Sequence, residues 1–262
     1  MKKNIIILFM WVTILFISGC DINDQLNTVP TGTVSELIFW KTENDAILAV
    51  NAAYRELDGT GLVQLETVTD IAMHAPSGPQ TLYDVAVGTL DPTNTSIRDY
   101  WRRYWIGIRK ANDPINNIDK ITTGDPALLA RLKAEARFLR AYYYTMLTTF
   151  WGDVPMVTEP LNIQDKVSRS PKSQVVDFII SELDAITGTL PLSYTGGNIG
   201  RATRGAALAL KARVALYNGR YSVARDAAKA VMDLNVYELY PHYERLFWHE
   251  GKGSKEIGRA HV

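Results

Sequence analysis

Apolar residues recur along most of the chain at three- and four-residue intervals, punctuated by capping and turn residues, and this pattern predicts a string of amphipathic helices. Thr42-Glu43-Asn44-Asp45 reads as a capping box, in which a threonine hydroxyl serves free backbone N–H groups. Ile47, Val50, Tyr54 and Leu57 follow at helical spacing, with Gly59 as the expected stop. A second helix is expected from about Ser96 and carries Trp101, Trp105 and Ile108, with Asn112-Asp113-Pro114 marking a kink or a restart. Asp125-Pro126 opens a third, whose apolar stripe is Leu128, Leu132, Leu139, Tyr143, Met146 and Phe150 and which ends at Gly152. Ser170-Pro171 opens a fourth, with Val175, Val176, Ile179, Leu183 and Ile186 inward. A fifth covers residues 203–218 and a sixth 222–233. Strand patterns are sparse; residues 154–161, bracketing Pro155 and Pro160, read as a short extended arm. The expected fold is all-α.

The last two helices carry a repeat signal. Ala212, Gly219-Arg220-Tyr221, Ala224 and Ala228 reproduce the small-residue spacing of a tetratricopeptide unit, where small side chains let two antiparallel helices approach closely. Gly152-Asp153-Val154 stands at the matching turn of an earlier pair, about two such periods upstream. Two ordinary helical hairpins would leave much the same marks.

The first residues read as an address. Lys2 and Lys3 precede an apolar run over residues 5–17, which is shorter than the roughly 18 residues a bilayer span needs. The run ends Ile17-Ser18-Gly19-Cys20, a pattern that resembles a bacterial lipobox. Cleavage before Cys20 and acylation of its thiol and amine would anchor the chain, since each buried CH₂ contributes about 0.8 kcal/mol. An ordinary secretory signal with a chance cysteine is the alternative. Residues 1–19 are thus expected to be the signal peptide and 20–34 a polar, lipidated tether. Asp21 and Asp24 follow at once; acid there resembles surface-export signals in one bacterial group and inner-membrane retention in another.

Composition narrows the chemistry. There are 28 Lys+Arg, 28 Asp+Glu and one cysteine in 262 residues. A neutral chain without a basic run has little to hold a phosphate backbone, so no nucleic-acid partner is expected. A lone cysteine excludes an internal disulfide framework and any paired-cysteine metal site. No phosphate loop, HExxH or GxSxG occurs, and the glycines at 196, 197 and 200 read as a loop before a helix. His74, His242, His249 and His261 are isolated in sequence and read as surface or capping residues. The sequence therefore calls for no catalytic residue, metal or cofactor, although 28 acids leave a glycosidase carboxylate pair formally open.

Residues 60–95 read as one long loop of mixed polarity, containing Asp70, His74, Tyr83 and Asp84 and feeding into Asp99-Tyr100-Trp101-Arg102-Arg103-Tyr104-Trp105. Long ordered loops are often functional. Flat aromatic rings stack on sugar faces while neighbouring polar groups bond hydroxyls, which makes this stretch a candidate ligand site. The competing expectation is that Trp101, Trp105 and Ile108, spaced to share one helix face, simply face the core.

Taken together, these segments resemble the SusD/RagB family of Bacteroidetes outer-membrane lipoproteins. The resemblance rests on the lipobox cysteine, on Phe39-Trp40-Lys41-Thr42-Glu43 with Ala52-Ala53-Tyr54, and on the Trp101 helix running into Ala111-Asn112. Its most specific parts are Ala134-Glu135-Ala136-Arg137-Phe138-Leu139-Arg140-Ala141-Tyr142-Tyr143, Phe150-Trp151-Gly152-Asp153-Val154-Pro155 and Thr203-Arg204-Gly205-Ala206-Ala207. It implies an α-helical fold of tetratricopeptide-like repeats with a loop-rich ligand-binding insertion, over residues 35–256. It also implies a lipid-anchored protein of the outer membrane, exposed at the cell surface. Such a protein binds an oligosaccharide or other nutrient and passes it uncleaved to a TonB-dependent, SusC-like barrel. Cys20 carries over as the lipidated residue; Asp70, His74, Tyr83, Tyr100, Trp101 and Arg102 carry over by region as ligand residues. A repeat scaffold in outer-membrane assembly is the alternative. Family members are about twice this long, so the resemblance points to an N-terminal half from a truncated gene. Residues 257–262 match the translation of a common sequencing adapter and are expected to be an artefact.

Overall fold

Helix starts follow the local side-chain chemistry. Thr42 caps α1 (Glu43–Tyr54): its hydroxyl accepts from the Asp45 N–H, and the Asp45 carboxylate accepts from the Thr42 N–H at 2.8 Å. The Thr42 hydroxyl, which also donates to that carboxylate at 2.8 Å, and the Thr42 N–H together hold the Asp45 carboxyl below its usual range. Two short helices follow, α2 (Gly59–Leu65), extended by a 3-10 turn over Glu66–Val68, and α3 (Tyr83–Ala86). Asn94 caps α4 (Thr95–Asn117), accepting from the Ile97 N–H at 3.1 Å. Asp125 caps α5 (Pro126–Trp151), whose first residue is the proline and which ends at Gly152 with φ +72°. Then come α6 (Lys172–Thr187), α7 (Arg204–Tyr217) capped by the Thr203 hydroxyl, α8 (Tyr221–Asp233) and a short α9 (Tyr243–Leu246). This computed structural model describes residues 39–57, 59–73, 82–91, 93–161, 164–246 and 248. Cys20, His74, the proposed leader and tether and residues 257–262 lie outside them.

Four expectations change. First, α1 stops at Tyr54, and Gly59 opens α2 instead of ending α1. Its buried face is Ala46, Ala49, Val50 and Ala53, because α1 lies against both α4 and α5 and small side chains permit that approach. Ile47 and Tyr54 flank that face. Second, α4 neither ends nor restarts at Pro114 but runs through it to Asn117. Third, residues 60–95 are not one loop: α2, the 3-10 turn and α3 lie within them. Fourth, Phe150 leaves the inward stripe of α5 and is 44% exposed. The helix end is where the packing neighbours give out.

Helix α5 is the axis of the molecule. Leu132, Leu139 and Tyr143 point inward as the spacing requires, but burial extends round the helix to Ala134, Phe138, Ala141, Tyr144 and Leu147. The cause is that α1, α4, α6 and α7 all pack against it. Successive helices also pack on one another, α4 on α5, α5 on α6, α6 on α7 and α7 on α8, which is the nearest-neighbour logic of a helical repeat array. Both turn glycines of the matched pairs, Gly152 and Gly219, take φ +72°, a left-handed conformation that favours glycine. The tight approach of α7 and α8 uses Ala215, Ala224 and Ala227, whereas Ala228 faces outward. The arm at 154–161 forms no strand; Val154 pairs with Ser170 in an isolated bridge.

Two buried ionic clusters explain the Glu-Ala-Arg-Phe-Leu-Arg motif. The Glu135 carboxylate, with no exposure, accepts from Arg131 at 2.9 Å, Arg201 at 2.8 Å and the Tyr194 hydroxyl at 2.9 Å. Arg201 also donates to the Asn51 side chain at 2.7 Å, and the Tyr54 hydroxyl accepts from the Ala202 N–H at 2.8 Å. On the next face, Glu182 of α6 takes Arg137 at 2.7 Å and Arg140 at 2.5 Å, and Arg140 reaches Asn112 of α4 at 2.9 Å. Every polar residue of the motif is thus paired, Glu135 and Arg140 in the interior and Arg137 half-buried at its edge.

Tyrosine hydroxyls tie the same helices. Tyr143 donates to the Ala53 carbonyl at 2.7 Å and Tyr144 to the Val157 carbonyl at 2.9 Å. Burial pushes the Tyr144 phenol up to about 12 and those of Tyr54, Tyr143 and Tyr194 further still. An unfolded chain releases these protons near pH 10, so the folded state holds more protons above it and its stability falls as pH rises. Tyr54, Tyr143 and Tyr144, the more deeply buried, each lower the stability by up to about 1.4 kcal/mol per pH unit between their unfolded and folded values, and the half-buried Tyr194 by less. The expected result is a cooperative alkaline unfolding, in which far-ultraviolet dichroism and the tyrosinate absorbance of these residues change together. Gradual tyrosinate formation in a chain that stays helical would contradict it.

Candidate functional site

The aromatic-rich end of the α4–α5 pair is the candidate site. Helices α4 and α5 run antiparallel, so the first turns of α4 meet the last turn of α5. Trp101 stands with its ring centroid 5.2 Å from Trp151, edge to face, and 5.6 Å from Trp105. Trp105 in turn meets Tyr144 edge to face at 6.1 Å, and Tyr104 meets Trp151 at 6.3 Å. Phe150 continues the array outward, 5.9 Å from Trp151. Such offset contacts fix ring orientations and leave the outermost rings half in water.

Each expected ligand residue has a definite place or lies outside the described residues. Tyr100 is half-buried and donates its hydroxyl to the Gly61 carbonyl at 3.0 Å, which ties α2 to the start of α4. Trp101 is half-buried within the aromatic array, and Arg102 projects to the exposed side of the helix. Asp70 is exposed just past the 3-10 turn, and Tyr83 opens α3 half-buried. Since α3 packs against that turn, Asp70 and Tyr83 belong to one small subassembly. Tyr100 and Trp101 belong to the other, and the Tyr100–Gly61 bond is the tie between the α4 end and the segment that carries Asp70. Asp91, below its usual range because the Thr93 hydroxyl and N–H donate to it, shapes the turn into α4.

Trp151 and Phe150 were not among the residues expected at this end. Tyr143 and Tyr144 are both buried in the middle of α5, where helices pack on several sides, but Phe150 and Trp151 stand in its last turn, and a pair of aromatics at a helix end was the available signal. The Trp105 indole N–H is buried with no hydrogen-bond partner among the described residues. Of the histidines only His242 is described, and it is exposed. Among the described residues no group of three His, Cys, Asp or Glu is placed to hold a metal, and no helix is long and apolar enough to cross a membrane.

Comparison with known proteins gives this architecture a family. A family model described as SusD-like, starch-binding and associating with the outer membrane matches residues 37–216. A SusD-like protein of Formosa agariphila is 22% identical over 275 residues, covering 98% of this chain and 51% of its own length. A SusD-like protein of Bacteroides ovatus is 24% identical, over 98% of this chain and 49% of its own. Among solved structures, a SusD-like protein from Bacteroides fragilis superposes with TM-score 0.74 and 30% identity, over 88% of this chain and 46% of that one. A laminarin-binding SusD-like protein superposes with TM-score 0.75 and 27% identity, over 82% of this chain and 50% of that one. The chain spans about half the length of the curated relatives it matches. The match begins just ahead of α1 and runs through α7, so it takes in both ionic clusters and the aromatic end, and the chain belongs to the SusD-like family.

Proposed function

We propose that this protein captures an oligosaccharide at the bacterial surface and passes it, uncleaved, to a TonB-dependent outer-membrane barrel. The observation that carries the reading is the half-exposed aromatic array of Trp101, Trp151 and Phe150 in a chain of this family. Rings held edge to face cannot swing away, so they present a fixed apolar surface to a sugar ring. Exposed Asp70 and Arg102 and the phenols of Tyr83 and Tyr100 supply hydroxyl partners in this reading, with His74 beside them in sequence. Lipidation at Cys20 would hold the domain at the membrane, and the barrel would take over the bound glycan. No cofactor, metal or turnover enters this scheme.

The test is affinity electrophoresis through gels carrying starch or laminarin, the glycans named for the family model and for one solved relative. Retardation of the wild-type chain by at least one glycan is expected. The double variant Tyr100→Ala with Trp101→Ala should weaken binding about tenfold, equivalent to about 1.4 kcal/mol. A dichroism spectrum identical to wild type serves as the control for folding. Unchanged retardation removes these two residues from the site. A wild-type chain retarded by no glycan, with no shortened products either, would overturn glycan capture itself.

A further inference from the structure

The outer positions of α4 carry a second pattern beside the aromatic one. Trp101 and Trp105, both half-buried, share one stripe of the helix. Arg98, Arg102 and Arg109 share the adjoining stripe, and all three are exposed. The spacing brings the two stripes into register: Arg98 stands three residues before Trp101, Arg102 three before Trp105, and Arg109 four after it. Each tryptophan thus has an arginine as its neighbour on the helix surface. Two of these charges are not spent within the protein. Arg98 pairs with Asp99 at 3.1 Å, but the side chains of Arg102 and Arg109 make no ion pair, hydrogen bond or ring contact among the described residues. Asp113, one turn beyond Arg109, accepts from the Asn117 side chain instead at 3.0 Å. The arm bonded to Asn112 and Asn116 brings up the exposed Glu159, which pairs with neither arginine. Five arginines elsewhere in the bundle do meet a carboxylate: Arg131 and Arg201 share Glu135, Arg137 and Arg140 share Glu182, and Arg220 takes Asp177.

We propose, building on glycan capture at this end of the molecule, that the ligand is an acidic oligosaccharide. Its sugar rings lie along the tryptophan stripe, and its carboxylate or sulfate groups are held by Arg102 and Arg109. A guanidinium presents paired N–H donors in one plane, which match two oxygens of either anion. Arg102 and Arg109 stand two turns apart, about 10 Å along the helix, a separation that suits charged groups on alternate sugars of one chain. With no carboxylate to cancel them, their field draws an anion toward the rings. The tryptophans beside them, fixed by Trp151 and Tyr144, then exclude water from one side of each contact, where a charge-assisted hydrogen bond gains strength. A neutral glycan could use the rings but would leave both guanidinium groups without a counter-charge.

The test measures binding of polygalacturonate, alginate and a sulfated galactan, each against its own carboxyl-reduced or desulfated form, with starch and laminarin as neutral references. At least one acidic glycan is expected to bind about tenfold tighter than its neutral form, and the pair that shows the difference tells carboxylate from sulfate. Raising the salt concentration should narrow that gap. In the double variant Arg102→Gln with Arg109→Gln the acidic-to-neutral ratio should fall to near one. Arg102→Lys with Arg109→Lys should keep part of it, since the charge stays and only the planar fork is lost. Both positions are exposed, and a dichroism spectrum identical to wild type checks the fold. Neutral glycans bound as tightly as any acidic one would overturn the acidic ligand and leave glycan capture standing. A ratio unchanged in the glutamine variant would overturn the assignment to these arginines. Polyaspartate competing as well as the acidic glycan would reduce the effect to bulk charge and overturn it too. Binding of no glycan in either form would overturn capture itself, and the acidic ligand with it.

Discussion

Replacing Glu135 by alanine is expected to destabilise the fold by about 3–5 kcal/mol, measured as a shift in the urea midpoint at constant slope. The carboxylate is fully buried and holds Arg131, Arg201 and Tyr194 together, so its removal leaves two guanidinium groups facing each other with no counter-charge. Part of that charge is spread over rings: Arg131 lies 5.3 Å from the Tyr194 ring centre and Arg201 5.5 Å from that of Tyr54. Those contacts contribute about 0.5–2 kcal/mol each and cannot replace a carboxylate. The double replacement Glu135→Met with Arg201→Met should recover at least about 1 kcal/mol relative to Glu135→Ala, because the Arg201 charge is then gone with its counter-charge and only the neutral, half-buried Asn51 side chain loses a donor. A double variant less stable than the single one would show that the charges themselves stabilise the fold.

Replacement of Gly107 by leucine is the second large effect, expected at about 3 kcal/mol. A Cβ at this position lies 2.6 Å from the ring of Tyr143, a side chain with no exposure whose hydroxyl is bonded to the Ala53 carbonyl. The ring cannot retreat without breaking that bond, so a larger residue forces α4 away from α5. Gly107→Ala should be milder, since both residues recover most of about 1 kcal/mol of helix propensity over glycine but alanine adds only the Cβ to the clash. Thermal unfolding of both variants, with Gly188→Ala as a control at a position with open space around it, separates packing from propensity. Equal Tm values for the alanine and leucine variants would sink the packing argument.

Much of the fold was legible in the sequence because its helix starts are set by residues acting on their immediate neighbours. Thr42, Asp125 and Thr203 each cap the helix expected of them, and the α6 stripe from Val175 to Ile186 is buried residue for residue. What was not legible depends on which elements share a face. The alanine face of α1 is invisible to a search for large apolar residues, since alanine is inward there only because two helices converge on it. Pro114 reads as a break in isolation, yet α4 passes through it between buried neighbours at Asn112 and Asn117. Arg137 and Arg140 stand out only once Glu182, more than forty residues away, is brought beside them. The candidate site divides the same way. Tyr100 and Trp101 are legible as candidates because aromatics crowd one stretch of sequence, whereas Trp151 enters from another helix and joins the array only in three dimensions.

The bonds between the 201–202 segment and α1 also set an order of assembly. Arg201 reaches Asn51 across 150 residues and Ala202 reaches Tyr54 across 148, while α4 to α8 pack chiefly on their neighbours in sequence. Contacts between neighbours close small loops and form early; those two close the largest loop described in the chain and give nothing back until both ends are already shaped. Helix α1 has a nearer seat as well, on α4 and α5, where Tyr143 holds the Ala53 carbonyl. A nascent chain emerging N-terminus first can place α1 there once α5 has been made, and completes its polar ties only when the polypeptide through Ala202 has followed.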